Sequence, residues 1–308
     1  MAVLIDPPRW PAHGTRFSHL VSDASLEELL EFADARQVPI RAFDHDHYDV
    51  PERRHDELVA AGAVPVGPSE LVRRLVASGL RVRGPQRTPK PAQVLARLTT
   101  AWQELLPNAP ELRDDLLRRW QEPHRHYHDV RHLAQLLEAL DVVATGPVSR
   151  PVGLAAWFHD AVHEGTAGTD EERSAQLAEE VLPGAGVSDA EVAEVARLVR
   201  LTTRHDPHAD DRAGIQLVDA DLSVLGLIPG RYHVYSRDVR LEYPGLSDEI
   251  FAAGRLQVLE ALSSRQPLYR SLAGQRKWAA QARQNLVVER RRWSRFARSG
   301  RYSSFQEH

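Results

Sequence analysis

Trp157-Phe-His-Asp-Ala-Val-His163 sets an imidazole, His159, beside a carboxylate, Asp160, inside an apolar run. Burying such a pair without a partner is costly. A divalent cation suits both groups, because imidazole and carboxylate are each ligands of first-row metals. Two further stretches make the pair more than an isolated dyad. Upstream, Arg125-His-Tyr-His-Asp-Val-Arg-His132 places His128 and His132 four residues apart, a spacing that shares one face of a helix. Downstream, Leu217-Val-Asp-Ala-Asp-Leu222 puts Asp219 and Asp221 in an otherwise apolar helix. One or two histidines, then His-Asp, then an aspartate, each from a separate helix, describe a metal site at the centre of a helix bundle.

The surrounding sequence agrees with a bundle. Val94–Leu106, Glu111–Gln121, Val130–Val143, Val152–Val162, Asp170–Val181, Asp189–Thr202, Ala213–Leu225, Tyr232–Glu242, Leu246–Leu262 and Gln275–Ala297 all carry apolar residues at helical spacing. No strand alternation interrupts them, so residues 93–298 are expected to form one all-α domain, with a tail at 299–308. Before it, Arg83-Gly-Pro-Gln-Arg-Thr-Pro-Lys-Pro91 has three prolines and no large apolar residue, which sets a linker at residues 85–92. Residues 1–84 read differently. Val3–Ile5, Pro39–Phe43 and Ala63–Val66 look like short strands. They alternate with helices that start at Ser25, with Glu28 completing a capping box, at Glu52, with Gly62 closing it, and at Ser69, running to Ala77. That alternation predicts a small α/β domain with a parallel sheet.

Composition excludes several classes. The 308 residues suffice for two domains and a core that needs no disulfides. There are no cysteines, so disulfide scaffolds, cysteine zinc sites, iron–sulfur ligation and thiol nucleophiles are all excluded. A net charge of −4 argues against polyanion binding by the chain as a whole. No apolar run approaches the roughly 20 residues a bilayer requires, and the start of the chain has no basic n-region, so a cytoplasmic protein is expected. Lys90 and Lys277 are the only lysines, which fits a GC-rich genome. Six of the 15 histidines fall between His124 and His163. Neither GxGxxG nor GxxxxGK[ST] occurs, so phosphoester hydrolysis fits better than ATP-driven transfer, and no G-x-S-x-G elbow is present.

Taken in order, Tyr127-His-x-x-x-His132, Phe158-His-Asp-Ala-Val162 and Asp219-Ala-Asp-Leu222 resemble the motifs of the HD-domain superfamily of metal-dependent phosphohydrolases, over roughly residues 95–290. The resemblance implies an HD-type helical bundle and a divalent ion, with Mn, Fe, Co, Ni, Zn or Mg all open. It implies metal ligands His132, His159, Asp160 and Asp221, with His128 as competitor or outer partner of His132 and Asp219 as alternative to Asp221. Dinuclear members place two more histidines between the His-Asp pair and the last aspartate; His205, more than His208, is the candidate for a second ion. His163 would line the cavity. Asp170-Glu-Glu resembles a branch motif that begins with asparagine, which makes Glu171 an outer carboxylate or proton acceptor. The same acids also suit a helix N-terminus. Asp160 or Glu171 would accept the proton of an attacking water. Arg125, Arg131 and Arg204, beside the histidine motifs, are candidates to bind the phosphoryl oxygens of a small phosphorylated substrate.

The N-terminal unit carries its own polar cluster, Phe43-Asp-His-Asp-His-Tyr-Asp-Val-Pro51, at a strand end. Asp6, His45, His47 and Asp49 are candidates to converge there, since ligands gather at strand ends of parallel sheets; a solvated turn is the plain alternative. Asp6-Pro-Pro-Arg-Trp10, His19-Leu-Val-Ser-Asp23, Asp46-His-Tyr-Asp-Val-Pro51 and Ala61-Gly-Ala-Val-Pro65 resemble a small bacterial domain of unknown function, the DUF4031 family, which implies no chemistry of its own. Together these readings predict a metal-dependent phosphohydrolase of nucleotides or other small phosphoesters. The rival is a metal- or nucleotide-binding sensor that does no catalysis. In that case Arg290, Arg291, Arg292, Arg295, Arg298 and Arg301, with the Arg9-Trp10 loop, would contact nucleic acid. Against that rival, Trp293 and Phe296 interrupt the basic run at helical spacing, as in a docked helix with a solvated face.

Overall fold

A computed structural model describes residues 2–166 and 168–303, with side chains through Ala297. It divides into two compact units, and the division does not follow the chain. One unit joins residues up to Thr88 with Ile228–Leu241 and the chain from Val287 onward. The other joins Pro89–Leu227 with Glu242–Leu286. A linear split at residues 85–92 therefore marks only the first of several crossings.

The first unit holds strands β1 (Val3–Ile5), β2 (Trp10–Ala12), β3 (Thr15–Ser22), β4 (Phe43–Asp44), β5 (His47–Pro51) and β6 (Val64–Pro65). The sheet order is β4-β5-β3-β1-β6, with β2 also on β3. Only β1 and β6 run parallel; every other pairing is antiparallel, so the sheet is mixed rather than parallel. Two tight turns explain why. His13 and Gly14, both at positive φ, form a two-residue hairpin between β2 and β3. His45, at φ 62°, and Asp46 turn β4 into β5. The expected strand Pro39–Phe43 is instead a 3₁₀ turn, Ile40–Ala42, leading into β4.

Helices α1 (Leu26–Ala35), α2 (His55–Ala60) and α3 (Pro68–Ala77) complete the N-terminal part. Ser25 caps α1, accepting the Glu28 N–H. Gly67, not Ser69, occupies the cap of α3, with Pro68 opening its first turn. The core gathers Ile5, Leu20, Leu29, Leu30, Phe43, Tyr48, Val50 and Leu58, and it includes Val234 from a much later segment. Gly230 lies so close to this fold that a Cβ would sit 2.4 Å from the His45 carbonyl oxygen. Arg292 forms two hydrogen bonds with Asp34, at 2.7 and 2.8 Å.

The remaining helices are α4 (Pro91–Leu105), α5 (Pro110–Arg119), α6 (Val130–Val143), α7 (Arg150–Phe158), α8 (Thr169–Val181), α9 (Asp189–Leu201), α10 (Arg212–Asp221), α11 (Pro229–Leu241), α12 (Asp248–Ser264) and α13 (Leu272–Ser303). Of these, α11 and the part of α13 from Val287 belong to the first unit. The backbone of α13 continues past the expected end at residue 298; residues 304–308 of the expected tail lie outside the described residues.

In the second unit, α6 packs on α10, and α7 and α8 pack on α9. Their buried faces carry Leu133, Leu136, Leu154, Trp157, Phe158, Leu198, Val199 and Leu217. Asp129 caps α6 and Asp211 caps α10, each accepting an N–H of the first turn. Those caps fix where the helices carrying His132 and Asp221 begin. Among the described residues no single helix is long and apolar enough to cross a membrane.

Candidate metal centre

His132 lies in the first turn of α6, His159 and Asp160 follow the end of α7, and Asp221 ends α10. The structure brings all four together. His132 Nε2 is 3.1 Å from His159 Nε2 and 3.1 Å from Asp221 Oδ1. His159 Nε2 is 3.1 Å from Asp160 Oδ2 and 3.7 Å from Asp221 Oδ1. His132 Nε2 is 3.8 Å from Asp160 Oδ2. Ligands about 2.1 Å from one ion stand about 3.0 Å apart in an octahedron and about 3.4 Å apart in a tetrahedron. The observed separations, 3.1–3.8 Å, start close to the octahedral value and span the tetrahedral one.

The tautomers fit as well. The His159 Nδ1–H donates to the Ala156 carbonyl, 3.0 Å away, so the ring offers its Nε2 lone pair inward. His132 Nδ1 meets the Tyr127 hydroxyl at 2.9 Å. Both rings are almost fully buried, and Trp120 lies against them with ring centroids 6.2 and 5.5 Å away. Two buried imidazole nitrogens face each other at 3.1 Å, with carboxylates around them. This donor set fits a first-row divalent ion.

The charges are interlocked. Burial works against ionisation of Asp160, yet His159, with His128 and His132 nearby, holds its carboxyl far below the usual range. Burial likewise opposes Asp221, but its bonds to His132 and His205 leave it ionised well below the usual range. Burial dominates at His132 and lowers its pKa, which favours the neutral, ligating ring. At His159 burial is outweighed by Asp160, and the pKa rises.

The other candidates take different positions. His128 precedes α6 rather than sharing a face with His132, because Asp129 caps the helix. Its Nδ1 is 2.7 Å from Glu242 Oε2, and its ring lies against His163 with centroids 4.1 Å apart. Glu242 Oε1 accepts three consecutive backbone N–H groups, from His126, Tyr127 and His128, at 2.8–2.9 Å. This carboxylate was not singled out from the sequence, where it stands alone after a helix with no motif around it. His205 stands beside that group of four; its Nε2 is 2.6 Å from Asp221 Oδ2, the oxygen that does not face His132. His208 is exposed beside Asp210. Asp219 points away: its carboxylate accepts the Arg270 and Ser271 N–H groups at 3.0 and 2.7 Å, and burial raises its pKa.

Glu171 is a helix cap, accepting the Gly168 N–H at 2.5 Å, and Asp170 ties down the preceding loop through the Glu164 and Thr166 N–H groups. Two of the three candidate arginines are braces. Arg125, buried, donates to the carbonyls of His128, Asp160 and Ala161 and to the Glu122 carboxylate. Arg131 is turned to Asp129 and the His126 carbonyl. Arg204 is exposed next to His205. In the N-terminal unit, His47 and Asp49 do converge, joined by His19; Asp6 holds the far nitrogen of His19, and His45 turns to Thr88.

No curated protein and no solved structure matches the chain. Residues 3–78, about a quarter of it, match the family model described as "Protein of unknown function (DUF4031)", so the N-terminal part is a domain of that family.

Proposed function

We propose that the helical unit is a metal-dependent phosphohydrolase of the HD type, acting on a nucleotide or another small phosphoester. The observation that carries this reading is the 3.1 Å approach of His132 Nε2 to His159 Nε2, with Asp160 and Asp221 beside them. The ordered motifs described above add the family resemblance. His132, His159, Asp160 and Asp221 would hold the ion. When bound, such an ion acidifies a water and polarises a phosphoryl oxygen. The remaining steps fall to the chain. Asp160 would accept the proton of the attacking water. His128 and Glu242, joined at 2.7 Å, would pass a proton onward. Tyr127 and the Ala156 carbonyl keep both ligand rings in one orientation.

The sensor reading with nucleic-acid contacts has less support. Arg291, Arg292 and Arg295 pair with Glu27, Asp34 and Glu31 of α1, which neutralises much of the basic run. The side chains of Arg298 and Arg301 lie outside the described residues.

The test is turnover on a panel of nucleotides, phosphomonoesters and phosphodiesters with added Mn²⁺, Co²⁺ or Mg²⁺. Wild type is run beside Asp160→Asn and His159→Ala, with metal content measured on the same samples. Turnover lost in both variants, with folding retained, is the expected result. Wild-type protein that binds metal but turns over nothing would leave the sensor reading. Turnover that survives in both variants would end the assignment.

A further inference from the structure

The N-terminal domain places two histidines and an aspartate on one face of two paired strands. His19 of β3 stands directly opposite Asp49 of β5, and His47 lies two residues before Asp49 on the same strand, hence on the same face. His47 Nε2 is 3.5 Å from Asp49 Oδ1 and His19 Nε2 is 3.9 Å from the same oxygen. These distances are too long for good hydrogen bonds. The two rings meet edge to face with centroids 5.1 Å apart.

The far nitrogen of each ring is tied to its own buried carboxylate. His19 Nδ1 is 3.1 Å from Asp6 Oδ2, and His47 Nδ1 is 2.8 Å from Asp46 Oδ1. Both carboxylates are almost fully buried and are held in turn: Asp6 by the His19 N–H and Trp10 Nε1–H, Asp46 by the Val82 N–H at 2.6 Å. A carboxylate on one ring nitrogen fixes the tautomer and aims the other nitrogen's lone pair at an ion. Here that arrangement occurs twice, and both lone pairs converge on the same carboxylate.

We propose that His19 Nε2, His47 Nε2 and Asp49 bind a divalent first-row transition ion at the surface of the DUF4031 domain, with Asp6 and Asp46 orienting the two rings. Imidazole donors select such an ion over Mg²⁺ or Ca²⁺. The Asp49 side chain is 47% exposed and that of His19 27%, so the ion keeps open positions for water or a substrate oxygen. Three protein ligands with open positions are the composition of a reactive site rather than a closed structural one. Trp10, half exposed, lies against the His19 ring at 5.3 Å and walls one side. The site shares no residue with the helical centre and stands independently of the function proposed for that centre.

The full-length chain carrying His159→Ala, Asp221→Asn and His163→Ala leaves this as the one intact cluster of three such donors among the described residues. Titrating it with Co²⁺ and following visible absorption, with Zn²⁺ competition, should show one equivalent bound. Adding Asp49→Asn, a half-exposed and shape-conserving change, should weaken binding at least tenfold. Asp46→Asn should weaken it by about 10–100-fold. His47→Asn should abolish the absorption band while the far-UV circular dichroism spectrum stays unchanged. No bound Co²⁺ in the parent chain, or the same affinity after Asp49→Asn, would overturn the proposal.

Discussion

Replacing Arg125 by methionine separates a brace from a substrate anchor. Its guanidinium donates to three backbone carbonyls, those of His128 at 3.1 Å, Asp160 at 2.7 Å and Ala161 at 3.2 Å, and to the Glu122 carboxylate at 3.0 Å. Methionine fills most of the stem volume but leaves those carbonyls without a donor. An unsatisfied buried acceptor costs about 1–3 kcal/mol. Three neighbours that share one donor do not add fully. The expected loss is therefore about 4 kcal/mol, a large part of the roughly 5–15 kcal/mol that folded domains possess. Arg125→Lys retains the charge and fewer bonds, and should lose about half as much. Urea unfolding followed by tryptophan fluorescence reads this directly, since Trp120 and Trp157 lie in the same core. A loss below about 1 kcal/mol, together with a raised KM for a phosphoester, would refute the brace and return Arg125 to the substrate.

Two further outcomes follow from other residues. His205→Ala releases Asp221 Oδ2, so metal affinity at the helical centre should fall about 10–100-fold. A competing chromogenic chelator measures this in a His47→Asn background, and unchanged affinity would show that His205 does not position Asp221. His233, buried with no partner for its Nδ1 among the described residues, has its pKa pushed down to about 4 by burial and by Arg292. The unfolded chain takes up that proton near pH 6.5 while the folded chain does not. Stability is therefore lost as pH falls from about 6.5 towards 4, by at most about 3 kcal/mol. His233→Phe should flatten the fall in Tm over that window, and an equally steep fall in the variant would mean that other groups set it.

Helix-forming stretches were legible where burial imposes a 3.6-residue period. Val130–Val143 matches α6 residue for residue, and the neighbouring helices differ from expectation by a few residues at their ends. The sheet was less legible. The segment Thr15–Ser22 is a central strand, yet Arg16 on one face and His19 on the other break the apolar alternation. His13-Gly14 was the overlooked signal, because a residue followed by glycine between two extended stretches marks a hairpin and not a crossover. At the candidate metal centre, the sequence did establish that Asp219 and Asp221 are alternatives. Residues two apart on a helix point to nearly opposite sides, so only one of them can face the histidines. His128 was misplaced because the four-residue spacing assumed a helix that Asp129 caps one residue later. Glu242 was invisible because the backbone N–H groups that hold it leave no mark in side-chain patterns.

The N-terminal unit is finished by the far end of the chain. Val234 completes its core, and Arg292 reaches Asp34. During synthesis, then, the first 88 residues emerge without the segments that cover them. At about 5–20 residues per second, the roughly 200 residues between Thr88 and Val287 take on the order of 10–40 s to follow. Over that interval Val50, Leu20 and their neighbours lack part of their cover. Final closure joins residues more than 250 positions apart in sequence, as the 258-residue separation of Arg292 and Asp34 records. Such long loop closure slows folding. The helical unit, complete in sequence at Leu286, is therefore fully synthesised before the unit that starts the chain, whose last segment begins at Val287.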